Sequence, residues 1–167
     1  HRVSPAHTLT VRTGSAVKTR YWALDPSREV QFSSDEQYAE RFKSLFEKAV
    51  QARLRSNGPI GSMLSGGLDS SSIVCQATQL LEGSVQGAAL HTFSAVFDED
   101  SGSDESQYIN EVLEKYEELQ PHFIQGDEKS PIAEWDELQK YVDGACTAGN
   151  AYIFWRSLRR ASDQGIR

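Results

Sequence analysis

Apolar and polar residues alternate over His7–Val11 and again over Val17–Ala23, with Gly14-Ser15 between them, which predicts a β-hairpin turning at that pair. Such a hairpin is too small to stand alone. A polar stretch from Asp25 to Ser34, interrupted by Pro26, reads as a linker, and Ser33 and Glu36 at its end have capping-box spacing. Tyr38, Phe42, Leu45, Phe46, Val50 and Leu54 then recur at helical intervals, with Arg41, Lys43, Lys48 and Arg53 mostly off that stripe. The helix is expected to run to about Arg55, where Asn57-Gly58-Pro59 stops it.

Pro59–Leu64 is a short strand-like run into Ser65-Gly66-Gly67, and Ser70–Leu81 is again helical in pattern. Leu90–Phe97, rich in β-branched and aromatic residues, predicts a buried strand. Glu105–Leu119 predicts a helix, His122-Phe123-Ile124 a short strand, Ile132–Val142 and Ala151–Ala161 two further helices, and Ile166 the start of another strand. Strands alternating with helices imply an α/β fold, a parallel sheet covered by helices on both faces, preceded by the short N-terminal β-hairpin. No internal repeat or low-complexity segment is visible.

Composition narrows the functional classes. With 167 residues and 38% apolar content the chain suits one buried core, and a net charge of −7 argues against a nucleic-acid partner, which requires a basic face. A small or protein-derived substrate fits better. The two cysteines, Cys75 and Cys146, lack metal or redox spacing and read as buried free thiols in a reducing cytoplasm. No apolar run is long enough for a membrane span and no leader is evident, so the expectation is a cytoplasmic protein with no membrane partner. A chain that opens on His1 and stops where Ile166 begins a strand reads as part of something longer.

The chemistry concentrates at Leu64-Ser65-Gly66-Gly67-Leu68-Asp69-Ser70-Ser71. In an open α/β sheet, ligands settle where a strand's carboxyl end leads into a helix N-terminus. Gly66 and Gly67 let the backbone turn tightly and bring N–H groups against phosphate oxygens, and the unpaired amides of the next helix add to that attraction. Ser65, Ser70 and Ser71 offer hydroxyls. Asp69 beside an anion makes sense when a magnesium ion lies between them. The bland alternative is a tight turn with Asp69 as an N-cap. The loop lacks the Gly-Lys-Ser/Thr of a Walker A motif and is not G-x-G-x-x-G.

Leu54 to Ser71 resembles the start of the synthetase domain of asparagine synthetases. Ser-Gly-Gly-x-Asp-Ser is shared by the whole PP-loop ATP pyrophosphatase superfamily, whose fold is of the adenine-nucleotide α-hydrolase type, and Arg55-Ser56-Asn57-Gly58-Pro59-Ile60-Gly61 narrows the resemblance to the asparagine synthetase branch. His91–Phe97 is similar to the family's second strand, whose backbone at Ser94, Ala95 and Val96 would hold adenine. Asp104-Glu105-Ser106-x-Tyr108-Ile109 resembles the start of the helix that follows, and Tyr21-Trp22 the junction after an amidotransferase domain; residues 127–150 match only loosely.

The resemblance implies that residues 1–33 are a hairpin and linker from a preceding amidotransferase-like domain, and that 34–167 are the N-terminal part of the ATP-binding domain. It implies ATP and Mg2+ as cofactors, phosphate contacts from Leu64 to Ser71, and Asp69 as metal ligand and catalytic residue. The reaction would activate a small-molecule or peptide carboxylate as its adenylate, release pyrophosphate, and pass the acyl group to an amine or to ammonia from a glutaminase domain. The family's later Ser-Gly-x-Gly-x-Asp-Glu type motif and its nucleophilic cysteine domain are not in this sequence, so the piece alone is expected to be inactive. Phe93-Ser94-Ala95-Val96-Phe97-Asp98, Pro121-His122-Phe123 and Gly126-Asp127 resemble homologues that serve lasso-peptide and other natural-product pathways. That points to a natural-product amide ligase, lasso-peptide cyclase-like, as one alternative and a catalytically inactive nucleotide-binding module as another. A tRNA-modifying ligase of the same superfamily is weakened by the acidic balance.

Other features carry less. Asp98, Glu99, Asp100, Asp104 and Glu105 form an acidic cluster without EF-hand spacing and read as a solvated loop leading into a helix. His7, His91 and His122 lie in or beside strands and read as structural. Tyr152, Phe154 and Trp155 have near-helical spacing and read as core, although the resemblance places this helix close to the acyl-substrate pocket.

Overall fold

The computed structural model describes residues 2–82, 89–97, 105–126, 128, 130–142 and 150–166. The chain divides into two compact units, His1–Arg41 and Phe42–Arg167. In the first, β1 (His7–Arg12) pairs antiparallel with β2 (Ser15–Arg20). The turn is Thr13-Gly14 and not Gly14-Ser15, because Ser15 already pairs with Arg12; Gly14 takes the left-handed conformation at φ +78°. Helix α1 (Asp35–Arg53) starts one residue later than the sequence pattern indicates. The Ser34 carbonyl accepts the first helical bond from the Tyr38 N–H, and Gln37, not Glu36, reaches back to accept from the Ser33 N–H at 3.0 Å.

The second unit holds a three-stranded sheet, β3 (Ile60–Met63), β4 (Leu90–Val96) and β5 (Gln120–Gln125), parallel throughout and in the order β3-β4-β5. Side chains alternate across it. Leu90 joins Leu64, Val74, Ala77 and Ile109 in the main core, beneath α2 (Leu68–Glu82) and α3 (Ser106–Lys115). The opposite face carries His91 and Phe93, with α5 (Ala151–Asp163) packed on β4 and β5. The α/β expectation, with a sheet flanked by helices and a hairpin before it, therefore holds. Of the strand expected from Ile166, that residue alone is described. Gly165, at φ +75°, ends α5: its N–H reaches the Ser162 carbonyl and that of Ile166 the Ala161 carbonyl, a Schellman cap.

Two helices are shorter than their apolar spacing suggests. α4 occupies only Trp135–Gln139, flanked by turns in which Ala133, Trp135, Lys140 and Tyr141 each bond three residues back instead of four. Those turns keep the apolar spacing without an α-helical backbone. α3 stops at Lys115, yet Tyr116 and Leu119 beyond it are still buried in the core. Among the described residues no helix is long and apolar enough to cross a membrane.

His91 and His122 lie side by side on the α5 face, with His91 Nδ1 2.9 Å from His122 Nε2 and the His122 ring stacked on Phe93. A hydrogen bond between two imidazoles needs one of them neutral. Burial first, then the neighbouring His91 ring and Arg160 of α5, hold the His122 imidazole below its ordinary 6.5. The folded state thus resists a proton that the unfolded chain accepts. Stability is full above about pH 6.5 and falls as the pH drops below it. His122→Gln is expected to flatten that fall when urea unfolding is followed from pH 8 to 5; an unchanged slope would remove His122 from the acid response.

Candidate functional site

The Leu64 N–H donates to the Phe93 carbonyl at 2.9 Å, extending the β3–β4 pairing by one residue, and the Leu64 side chain is fully buried. The backbone leaves the sheet at Ser65. Gly66 then takes φ +85°, and a Cβ there would lie 2.9 Å from both the carbonyl oxygen and Cβ of Glu105. Gly67 is different: among the described residues a Cβ on it would meet only Ser65 Oγ, at 3.5 Å. The first helical bond of α2 runs from the Ser71 N–H to the Gly67 carbonyl at 3.1 Å. Gly67 is therefore the N-cap, and the alternative in which Asp69 caps the helix is excluded.

That arrangement leaves a run of open donors. Among the described residues, the N–H groups of Gly66, Gly67, Leu68, Asp69 and Ser70 have no hydrogen-bond acceptor. Leu68 and Asp69 point into solvent in the first turn of α2, Leu68 being 84% exposed. Ser70 and Ser71 are half-buried. The run combines the unpaired amides with the positive end of a fifteen-residue helix.

Pairing of Met63 with Phe93 sets this loop beside the carboxyl end of β4, where Ala95 and Val96 are half-buried and pair with Ile124 and Gln125. The Val96 carbonyl accepts from the Gly126 N–H at 2.8 Å. The loop and the end of β4 thus come from adjacent parallel strands. The contact of Gly66 with Glu105 and Tyr108, at the start of α3, was invisible in the sequence, where Glu105 stood only as part of an acidic cluster. Asp98, Glu99, Asp100, Asp104, Asp127 and Cys146 lie outside the described residues.

The profile of the asparagine synthase family matches residues 41–167, three quarters of the chain. The chain belongs to the asparagine synthase family. It is similar to amidase chyE of Penicillium rubens, 28% identical over 82% of this chain and 22% of that protein. It is similar also to the glutamine-hydrolyzing asparagine synthetase 3 of Bacillus subtilis, 37% identical over 58% of this chain and 15% of that protein. The glutamine-hydrolyzing asparagine synthetase 2 of Arabidopsis thaliana is likewise 37% identical, over 53% of this chain and 16% of its own length. The chain spans about a fifth of the length of the amidase it matches.

In this chain of the asparagine synthase family, four cavities formed by described residues have no residue of 64–71 in their walls. One of about 480 Å³ opens between β5 and α5, lined by Phe123, Gln125, Glu128, Arg156 and their neighbours, with no residue of 64–71 in its wall. Among the described residues no group of three or more His, Cys, Asp or Glu is placed to hold a metal. Tyr152 and Trp155 are buried with Leu138 in a second small core, whereas Phe154 is half exposed, so the aromatic helix serves mainly packing. Burial, then the hydrogen bond to Glu134, pushes the Tyr152 hydroxyl up to about 12.

Arg156 fastens α5 to the end of β5. Its side chain is 15% exposed and donates to the Gln125 carbonyl at 2.6 Å and to Glu128 at 3.1 Å, with Glu134 4.0 Å away. Arg156→Met keeps the aliphatic stem and removes these charged donors, so it should lower the unfolding free energy by about 2 kcal/mol. Chemical denaturation measures this directly, and a change below about 0.5 kcal/mol, the ordinary surface range, would show that α5 is anchored by packing alone.

Proposed function

We propose that this chain supplies the ATP-binding half of an amide-forming ligase that activates a carboxylate as its adenylate with release of pyrophosphate. The observation that carries the reading is the run of five unpaired N–H groups from Gly66 to Ser70 at the end of β3, in a chain of the asparagine synthase family. These amides receive the phosphates, and the backbone at Ala95 and Val96 receives adenine. Gly67 supports the assignment, because among the described residues only Ser65 Oγ, at 3.5 Å, comes near the place of its missing Cβ, which suits a loop that lets a phosphate approach closely.

A magnesium ion fits the donor set in a specific way. Asp69 is one exposed carboxylate beside open amides, and Mg2+ ordinarily binds through one or two carboxylates together with substrate phosphates, keeping waters for the rest of its shell. When bound, the ion supplies positive charge to the departing pyrophosphate. The chain's own groups bind and orient, Gly66 to Ser70 through amides and Leu64 by fixing the loop to β4, and Asp69 would hold the ion beside them. Preorganised donors of this kind are the main source of rate enhancement in such transfers.

Residues 1–33 then close a preceding amidotransferase-like domain, and 34–167 form the first part of the ATP-binding domain. Ammonia from a glutaminase domain, or an amine, takes the acyl group; no nucleic acid or membrane is involved, and the setting is the cytoplasm. The chain by itself binds nucleotide without turnover.

A second reading concerns the substrate. Amidase chyE aligns over 82% of this chain, against 58% and 53% for the bacterial and plant synthetases. The longer match is to a protein named an amidase and not an asparagine synthetase, which supports a carboxylate other than aspartate, such as the natural-product acid suggested by the resemblance at Phe93–Asp98. Full-length protein should release pyrophosphate from ATP only with magnesium and a carboxylate present, and comparing aspartate with peptide acids separates the two substrates. Nucleotide binding with no pyrophosphate release from any carboxylate would sink the ligase reading and leave a catalytically inactive nucleotide-binding module.

A further inference from the structure

The Ser70 hydroxyl is the most heavily used polar atom of the loop. It lies 3.1 Å from the Ser65 N–H, 3.0 Å from Ser65 Oγ and 3.1 Å from the Gly67 carbonyl. A serine hydroxyl has one proton to donate and two lone pairs. The Gly67 carbonyl can only accept, so it takes the proton. The Ser65 N–H and the Ser65 hydroxyl then donate to the two lone pairs, and Ser65 has no proton left for a ligand. We infer that Ser70 is a positioning residue: it staples the loop across its own turn and so sets the direction of the Gly66 to Ser70 amides, without holding phosphate itself.

The inference rests on the proposed nucleotide reading and revises one detail of it. A phosphate oxygen is an acceptor, so it competes for donors, and neither Ser65 nor Ser70 has one free. The Ser71 hydroxyl makes no hydrogen bond among the described residues, so its proton is uncommitted, unlike those of Ser65 and Ser70. The staple also explains how the loop can hold its shape around Gly66, where the left-handed backbone carries no side chain to lock it.

The test uses full-length protein carrying Ser70→Ala or Ser70→Thr, with two readouts. Amide hydrogen exchange at Ser65, measured without nucleotide, reports the staple; the dissociation constant for MgATP reports its consequence. Ser70→Ala should speed Ser65 exchange and weaken MgATP by about tenfold each, the ordinary scale of one lost hydrogen bond. Ser70→Thr, which keeps the hydroxyl, should restore both, and exchange at buried Val74 should stay unchanged as a check on folding. Weaker MgATP binding with unaltered Ser65 exchange would make Ser70 a direct ligand and overturn the inference. Faster exchange with unaltered affinity would overturn it too. Wild-type protein that binds no MgATP would defeat the nucleotide reading instead, and the exchange readout would still decide whether the staple exists.

Discussion

Gly66→Ala should cost about 2 to 3 kcal/mol of stability and at least about a hundredfold in pyrophosphate release. Two effects add at this position. The backbone sits at φ +85°, which an L side chain adopts at a cost of about 1 to 2 kcal/mol. The new methyl would also stand 2.9 Å from the Glu105 carbonyl, a backbone atom that moves only if the start of α3 moves. Displacing either element turns the amides away from their common target, and loss of a single preorganised donor already costs about a hundredfold or more in comparable sites. Gly67→Ala provides the contrast. Among the described residues its Cβ meets only Ser65 Oγ at 3.5 Å, so the fold should tolerate it within about 1 kcal/mol while nucleotide binding falls because the methyl fills the ligand's space. Thermal unfolding and MgATP titration of the two variants side by side measure this. Equal stability losses would mean that Gly67 is held by the protein and not kept open for a ligand.

The difference between these glycines marks how far the sequence could be read. Ser65-Gly66-Gly67 between a strand and a helix was legible as a ligand loop, because strand pattern, glycine pair and helical spacing agree locally. What each glycine is for was not legible, since Gly66 answers to Glu105, far along the chain. Element types were recoverable wherever one face is buried: Leu90 to Val96 alternates toward α2 and α5 as a central strand must. Element ends were less so. The apolar spacing of Ile132 to Val142 is met by turns with three-residue bonds around a short α4, and periodicity cannot tell that backbone from an α-helix. At the start of α1 the spacing offered Ser33 and Glu36, whereas Gln37 makes the closing bond. The His91–His122 contact also depends on register between β4 and β5, which no local pattern states.

Asp69→Asn should leave the fold within about 1 kcal/mol of wild type, because the carboxylate is exposed and its structural contribution among the described residues is a favourable charge at the start of α2. The expected effect on magnesium-dependent pyrophosphate release is far larger, a loss of about a hundredfold to a thousandfold, since the variant can no longer align the metal-bound phosphates. Rate alone would not separate that role from a loop distortion. The sign of the effect on binding does. Without magnesium, a carboxylate beside phosphates is repulsive, so Asp69→Asn should bind ATP more tightly than wild type; with magnesium, the same change removes a ligand and should bind less tightly. Titrating ATP with and without the ion therefore predicts a crossover between the two proteins. A loss of affinity under both conditions would mean that Asp69 shapes the loop, and no change under either would leave the unpaired amides from Gly66 to Ser70 to hold the phosphates on their own.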